Sequence, residues 1–241
     1  MRTEIDKLRS VRAPLMLLLA AQLVIVAGVS GLFLGGGADA ADPVTARRAV
    51  AHAGLVSLFS LLLGILAVAG EYRHRTITDT YLGTPRRGRV IAAKLAVHTA
   101  AGVVFGLVSS VVAMTATAVW LSARGGALDL GSSAIWGTVA GCVAWNACFA
   151  AVGVGVGALI RNVTAAVAAA LAWLALVEGI AGQLLGDLGR WLPFRSAQAL
   201  EGVPFPGIDL LPQWAGGLAL AGYAAVFVLL AASVTVRRDV T

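Results

Sequence analysis

Residues 71–89, with the sequence EYRHRTITDTYLGTPRRGR, form a short polar segment between two long apolar stretches. Five arginines lie within this segment, and Lys94 follows a few positions later. Lysine and arginine concentrate in the cytoplasmic loops of membrane proteins, so the segment is predicted to face the cytoplasm. The segment also contains residues that commonly begin and end a helix, and its polarity places the short helix that they predict outside the bilayer.

The composition indicates that most of the chain lies in a membrane. Of its 241 residues, 59% are hydrophobic and 12% are charged, whereas soluble domains are roughly 45–50% apolar and about 25% charged. Six stretches reach the roughly 20 residues that a membrane-spanning helix needs. The predicted fold class is therefore an all-α polytopic membrane protein with one transmembrane domain over residues 1–241. The predicted spans are residues 14–34, 49–70, 90–121, 134–160, 163–183 and 213–236.

Basic residues predict the orientation of the six spans. Thirteen lysines and arginines fall on the side that carries residues 71–89 and both chain ends. Five fall on the opposite side, namely Arg47, Arg48, Arg124, Arg190 and Arg195. Both termini are therefore predicted to be cytoplasmic. The net charge of +6 belongs to these short loops, which argues against nucleic acid as a partner.

The expected location is a bacterial inner, or cytoplasmic, membrane. Arginine outnumbers lysine 16 to 2, and alanine and glycine are abundant, which is typical of a GC-rich bacterial genome. No secretory signal peptide is evident, because the first apolar stretch has no convincing cleavage site before the next segment.

The N-terminal residues 1–13 predict an amphipathic helix on the inner membrane surface. Ile5 and Leu8 are three positions apart and so share a helix face. The basic residues beside them can reach anionic lipid headgroups; these are Arg2, Lys7, Arg9 and Arg12. The alternative is a disordered basic tail.

The last loop on the outer side, residues 184–212, is long and apolar for a connector. Its four prolines interrupt any continuous helix. Trp191 suits the headgroup region of a membrane. We expect a short helix, partly re-entrant or interfacial, that caps the outer side of the protein.

Local signals within residues 71–89 predict a helix over residues 77–82. Thr76 is a suitable N-cap, and Asp79 three positions later resembles a capping box. Gly83 can end the helix in a left-handed conformation, and Pro85 prevents its continuation. So short a helix is marginal in water, so we expect it to dock against the protein or a partner. The alternative is a solvated basic loop that only sets the orientation.

Familiar catalytic motifs are absent from the sequence. It contains no glycine-rich phosphate-binding loop, no His/Cys spacing typical of zinc sites and no G-x-S-x-G nucleophile. Cys142 and Cys148 project about 120° apart on one helix, so they cannot bridge there and are interpreted as packing residues. We expect no catalytic residue, metal or cofactor in this chain, and no enzymatic activity.

Glu178 is the one charged residue within an otherwise apolar span, in the sequence LALVEGI. Ionisable residues inside membrane spans are usually functional. Glu178 nevertheless lies only a few residues from the outer interface. Two interpretations follow: it anchors the outer loop, or it contacts a substrate cation or a proton.

Glycines recur at four-residue spacing in the third and fourth spans. Such pairs permit close approach of neighbouring helices. We interpret most of them as packing within one subunit. The pairs are Gly102 with Gly106, Gly137 with Gly141, and Gly153 with Gly157.

Taken together, these features resemble the permease subunits of ABC-2-type bacterial transporters. The specific motif is Glu71-x-Arg73-x-x-Thr76-x-x-x-x-x-Leu82-x-x-Pro85, followed by an arginine and by Lys94. The six spans, the glutamate near the outer end of the fifth span and the Leu192-Pro193 segment before the last span are also similar. The resemblance therefore covers nearly the whole chain.

The resemblance implies one subunit of an ATP-driven exporter. Two permease copies, identical or different, would each dock on a cytoplasmic ATPase, here a separate chain that binds ATP and Mg²⁺. The helix over residues 77–82 would be the coupling helix, and residues 1–13 the connecting helix. A drug, antibiotic, peptide, lipid or polysaccharide would pass between the copies near the first, second and fifth spans. The implied ATPase-coupling residues are Glu71, Arg73, Thr76, Ile77, Tyr81, Leu82 and Pro85.

Three other functions fit a polytopic helical protein. An ion-coupled secondary transporter needs intramembrane charges, and Glu178 is the acidic candidate within a span. An intramembrane protease needs a catalytic dyad or metal cluster in the spans, and the sequence shows neither. A non-transporting membrane anchor or sensor subunit of a signalling complex is the third.

Overall fold

The computed structural model describes residues 2–36, 39–83, 87–204, 207 and 209–237, and these residues contain helices and no β-strand. We number the α-helices α1 to α11 in chain order. They are α1 (Arg2–Ser10), α2 (Ala13–Leu34), α3 (Pro43–Leu55), α4 (Ser57–Arg73), α5 (Ile77–Gly83), α6 (Arg87–Ala123), α7 (Ser133–Ile160), α8 (Val163–Ala172), α9 (Gly182–Leu184), α10 (Pro193–Leu200) and α11 (Gln213–Arg237). A π-helical segment, Trp173–Ala181, joins α8 to α9, and a 3₁₀ turn, Gly186–Trp191, precedes α10.

Six helices of the described chain are long and apolar enough to cross a membrane, as the sequence predicts. Their ranges are Ala13–Leu34, Pro43–Arg73, Gly88–Ala123, Ser133–Ile160, Val163–Leu184 and Gln213–Ser233. Six indicate a multi-pass membrane protein. Because successive spans alternate in direction, α2 begins and α11 ends at the same end of the bundle. We call this the terminal end and the opposite one the loop end.

The second span begins earlier than the sequence predicts. It starts at Pro43 instead of residue 49, because Asp42 caps the helix by accepting a hydrogen bond of 2.9 Å from the backbone N–H of Val44. Proline is well suited to the first helical position, where its missing N–H costs nothing. The span is interrupted at Val56, where α3 ends and α4 begins.

Helix α7 lies at the centre of the bundle and packs against α3, α4, α6 and α11. Five of the six paired glycines permit close contacts of α7, four of them with α4 or α6 and the fifth, Gly141, with α10. A Cβ on Gly102 would lie 2.6 Å from the carbonyl oxygen of Asn146. A Cβ on Gly153 would overlap the carbonyl oxygen of Leu61. Gly137 is the exception, because its Cβ would meet its nearest neighbour at 3.9 Å.

A buried amide joins α7 to the break between α3 and α4. Asn146 donates hydrogen bonds of 3.0 Å to the carbonyl of Ala53 and 2.9 Å to that of Cys142. Its Oδ1 accepts a hydrogen bond of 2.7 Å from the hydroxyl of Ser60. Buried polar groups are costly unless they are paired, so this network fixes α3 and α4 against α7.

Helix α10 packs into the loop end of the bundle between α7 and α11. A Cβ on Gly141 of α7 would overlap the carbonyl oxygen of Leu200, and one on Gly216 of α11 would lie 2.5 Å from that of Ser196. At the start of α10, the ring of Phe194 meets the buried ring of Trp145 edge-on, with centroids 5.1 Å apart. Residues 184–212 therefore contain a helix that is packed into the protein.

Candidate functional site

The turn from α4 into α5 is a helix C-terminal motif with arginine in the left-handed position. The N–H of Thr76 donates to the carbonyl of Glu71, and the N–H of Arg75 donates to that of Tyr72. Arg75 has φ of 58°. This pair of bonds is the Schellman motif, in which glycine is usual at the left-handed residue. The motif fixes the direction in which α5 leaves α4.

Helix α5 has one buried face and one exposed face at the terminal end of the bundle. Ile77 is only 4% exposed, whereas Leu82 is 76% exposed. Thr76 directly precedes α5, which is the N-cap position that the sequence predicts. The observed bounds, Ile77–Gly83, differ by one residue from the predicted 77–82.

A buried lysine lies beneath α5. The Nζ of Lys94, on α6, is within 2.7 Å of Oε1 of Glu71, 2.9 Å of Oε2 of Glu4 and 2.9 Å of the carbonyl oxygen of Ala67. The residue is 1% exposed. Since an ammonium group has three donors, these three acceptors satisfy it completely.

A second lysine extends this arrangement to α1 and α5. The Nζ of Lys7 donates to Oε1 of Glu71 at 2.5 Å and to Oε1 of Glu4 at 3.3 Å. It also donates at 3.3 Å to the hydroxyl of Thr80 on α5. We call Glu4, Lys7, Glu71 and Lys94 the ion cluster. It joins α1, α4 and α6, and Thr80 connects α5 to it.

The ion cluster holds two carboxylates and two ammonium groups, so its formal charges cancel. Burial by itself would raise the pKa of the Glu4 carboxyl, but the charges and hydrogen bonds of Lys94 and Lys7 lower it below 4.5. Burial would likewise lower the pKa of Lys7, but Glu71 and then Glu4 raise it above 10.5. Each partner thus stabilises the charged form of the other.

The structure places the predicted coupling residues in two groups. Glu71 is buried in the ion cluster, and Ile77 is on the buried face of α5. Arg73, Thr76 and Leu82 are exposed at the same end of the bundle. The side chain of Tyr81 and the whole of Pro85 lie outside the described residues, as does the side chain of Asp79.

The sequence pattern does not indicate the roles of Glu4 and Thr80, and it predicts different surroundings for both lysines. It predicts Lys7 at lipid headgroups and Lys94 in a basic loop, whereas in the structure their ammonium groups bind carboxylates. A signal was available, because these are the only two lysines among 18 basic residues. The ammonium group of lysine is a compact charge with three donors, and in this cluster all three donors of Lys94 are used.

Glu178 anchors α10 at the loop end. It is 5% exposed and lies in the π-helical segment. Its Oε1 accepts a hydrogen bond of 2.6 Å from the backbone N–H of Phe194, in the first turn of α10, and one of 3.4 Å from the indole of Trp173. The first N–H groups of a helix have no partner within it, so this carboxyl stabilises the start of α10. This geometry supports the loop-anchoring interpretation.

Glu201, at the other end of α10, is a buried acid that sequence reasoning did not single out. It is 1% exposed, its Oε1 lies 3.8 Å from Sγ of Cys142, and a Cβ on Gly54 would overlap it. Burial raises the pKa of Glu201 well above 4.5. Its backbone is held as well, because Thr138 donates to its carbonyl at 2.8 Å and Arg47 donates to the carbonyl of Gly202.

The described residues contain no group of three His, Cys, Asp or Glu side chains that could hold a metal ion. Comparison with protein-family models found no matching family, and comparison with curated proteins found no match. The arrangement of α5 and the ion cluster is therefore the basis for a functional assignment.

Proposed function

We propose that this chain is the membrane-spanning permease subunit of an ATP-driven exporter. The observation that carries the proposal is the position of α5. This helix is tied to α1, α4 and α6 through Thr80 and the ion cluster, and it presents the exposed side chain of Leu82 away from the bundle. Leu82 is thus available for contact with a cytoplasmic partner protein, on a helix whose position the bundle fixes.

The ion cluster suits the transmission of force from such a partner. A displacement of α5 would act on α4 through Glu71 and on α6 through Lys94. Both helices continue into spans that pack against the central α7. Glu4, Glu71 and Lys94 are buried, and buried, paired charges resist separation. Helices α1 and α5 and the ends of α4 and α6 would therefore move as one rigid body.

The partner in this proposal is a cytoplasmic ABC ATPase made as a separate chain, which binds ATP and Mg²⁺. The ATPase cycle would switch two permease copies between two arrangements, and an amphipathic or hydrophobic substrate would bind them with different affinity. Export and a paired permease come from the resemblance to ABC-2 permeases. The alternatives remain an ion-coupled secondary transporter and a non-transporting anchor or sensor.

The proposal predicts that an ABC ATPase is encoded beside this chain in the source genome, and it is tested by co-expressing the two. We expect Leu82→Asp to abolish co-purification and ATP-dependent efflux, since a carboxylate replaces the apolar contact. Leu130→Asp is the matched control, because Leu130 is 57% exposed in the loop before α7, at the opposite end of the bundle. It is expected to leave both measurements unchanged. Efflux that follows a proton gradient and ignores ATP would instead support a secondary transporter.

A further inference from the structure

A cavity of about 200 Å³ lies between α4, α7, the fifth span and α11. Its walls are almost entirely apolar, and four aromatic side chains line it: Phe149, Trp173, Tyr223 and Phe227. An engineered apolar cavity of about 150 Å³ binds benzene. The cavity therefore has room for one aromatic ring and a short substituent.

The acid in this wall is Glu178. Its Oε1 is used by the N–H of Phe194 and by Trp173, but Oε2 is buried and has no hydrogen-bond partner among the described residues. The backbone N–H and the guanidinium of Arg195 both act on the Glu178 carboxyl, although the guanidinium forms no ion pair with it. A buried carboxylate oxygen without a partner is costly, so a ligand that supplies a donor would be favoured here.

The backbone around Glu178 is also unusual. Trp173 and Glu178 both lie in the π-helical segment, and π-helical turns in membrane and soluble helices are frequent at functional sites. The wider π turn places Trp173 and Glu178, five positions apart, within hydrogen-bond distance of each other. Both side chains thus line the same cavity.

We propose that this cavity binds a small lipophilic amine in its protonated form, with the ammonium group hydrogen-bonded to Oε2 of Glu178 and the apolar part among the aromatic side chains. A protonated amine suits the site because its ammonium group supplies the hydrogen-bond donors that Oε2 lacks, and its positive charge stabilises the ionised form of the carboxyl. Aromatic rings, here those of Trp173 and Tyr223 in the cavity wall, can also attract a cation. Binding at this cavity lies within one chain and does not depend on an ATPase.

The experiment measures binding of 2-phenylethylamine to the purified chain in lipid nanodiscs by equilibrium dialysis, with empty nanodiscs as the blank. The neutral probe 2-phenylethanol has the same shape. We expect saturable binding of the amine, weaker by at least about tenfold in Glu178→Gln, and weaker binding of the alcohol that this substitution does not change. Glutamine retains an oxygen that can accept from Phe194, so α10 keeps its anchor.

A second pair of variants tests the cavity without altering the acid. Ala170 lines the cavity, whereas Ala172 is exposed on the same helix and does not. Ala170→Leu fills the space and is expected to abolish amine binding, and Ala172→Leu is expected to leave it unchanged. The proposal is overturned if the amine binds equally well to wild type, Glu178→Gln and Ala170→Leu, or if the alcohol binds as tightly as the amine.

Discussion

The ammonium of Lys94 lies 2.7 Å from the carboxylate of Glu71, although 23 positions separate the two residues. Helix α5 occupies the chain between them. The ion pair therefore closes the base of the segment that carries α5 and joins the end of α4 to the beginning of α6. Both side chains are buried, so the surrounding protein leaves little water to screen their attraction.

Replacing Lys94 with methionine is expected to destabilise the protein strongly. The change keeps the volume but leaves the two buried carboxylates with Lys7 as their one counter-charge among the described side chains. Removing one partner of a buried ion pair costs about 3–5 kcal/mol. For a chain of this size, the thermal midpoint in detergent should fall by roughly 10 °C.

Lys7→Met is the matched comparison for this prediction. The side chain of Lys7 is 39% exposed, against 1% for Lys94, so water partly replaces its interactions. Its loss should cost only about 1 kcal/mol. Equal effects of the two substitutions would contradict the view that Lys94 is the buried centre of the cluster.

The contribution of Glu4 to stability is expected to depend on pH in one direction. Because its pKa in the folded protein is lowered, its contribution is present above the ordinary value of 4.5 and is lost as the pH falls through the folded value. The difference in thermal midpoint between wild type and Glu4→Gln should thus be constant near neutrality and vanish in acid. Asp6→Asn is the control, since Asp6 is exposed on the same helix.

The raised pKa of Lys7 predicts that its contribution to stability is lost in alkali, the reverse of the pH dependence expected for Glu4. Its contribution is present below 10.5 and is lost as the pH rises through the folded value. The difference in thermal midpoint between wild type and Lys7→Met should therefore disappear only in strong alkali. A difference that already changed between pH 6 and 9 would contradict the charge pairing that the structure shows.

The helices and the position of α5 could be predicted from the sequence because their signals are local. Apolar length predicts the spans, and Thr76 and Gly83 mark the ends of α5 within one residue. The ion cluster could not be predicted in this way. Lys94 and Glu4 are 90 positions apart, and no periodicity relates two residues that meet only after the helices have packed.

The paired glycines of α7 also show that a local sequence pattern does not predict which residues come into close contact after packing. Gly137 and Gly141 are equivalent in the sequence pattern, but only Gly141 is in close contact with another backbone. We expect Gly141→Ala to destabilise the protein by about 1–3 kcal/mol, because its Cβ overlaps the carbonyl of Leu200. Gly137→Ala should be neutral or stabilising by up to about 1 kcal/mol, since alanine favours helix.

Thermal unfolding and hydrogen exchange of residues 193–200 would check the glycine prediction. Gly141→Ala should lower the thermal midpoint and reduce the protection of the α10 amides from hydrogen exchange, because α10 can no longer pack closely against α7. Equal midpoints for the two alanine variants would mean that α10 does not depend on close contact with α7.

Glu201→Gln is expected to stabilise the protein increasingly as the pH rises. The raised pKa of Glu201 means that the folded chain keeps a proton that the unfolded chain releases above 4.5. The free energy of unfolding of the wild type therefore decreases as the pH rises from 4.5 to the folded pKa of Glu201.

Glutamine has nearly the same shape as glutamic acid and no proton to lose, so the Glu201→Gln variant lacks this loss of stability. The midpoint of Glu201→Gln minus that of wild type should be small at pH 4.5 and grow as the pH rises towards the folded value. Asp209→Asn, an exposed acid in the same loop, should show no such trend. A difference that stayed flat with pH would indicate that water reaches the Glu201 carboxyl, and that the C-terminal end of α10 opens from Gly54 and Cys142.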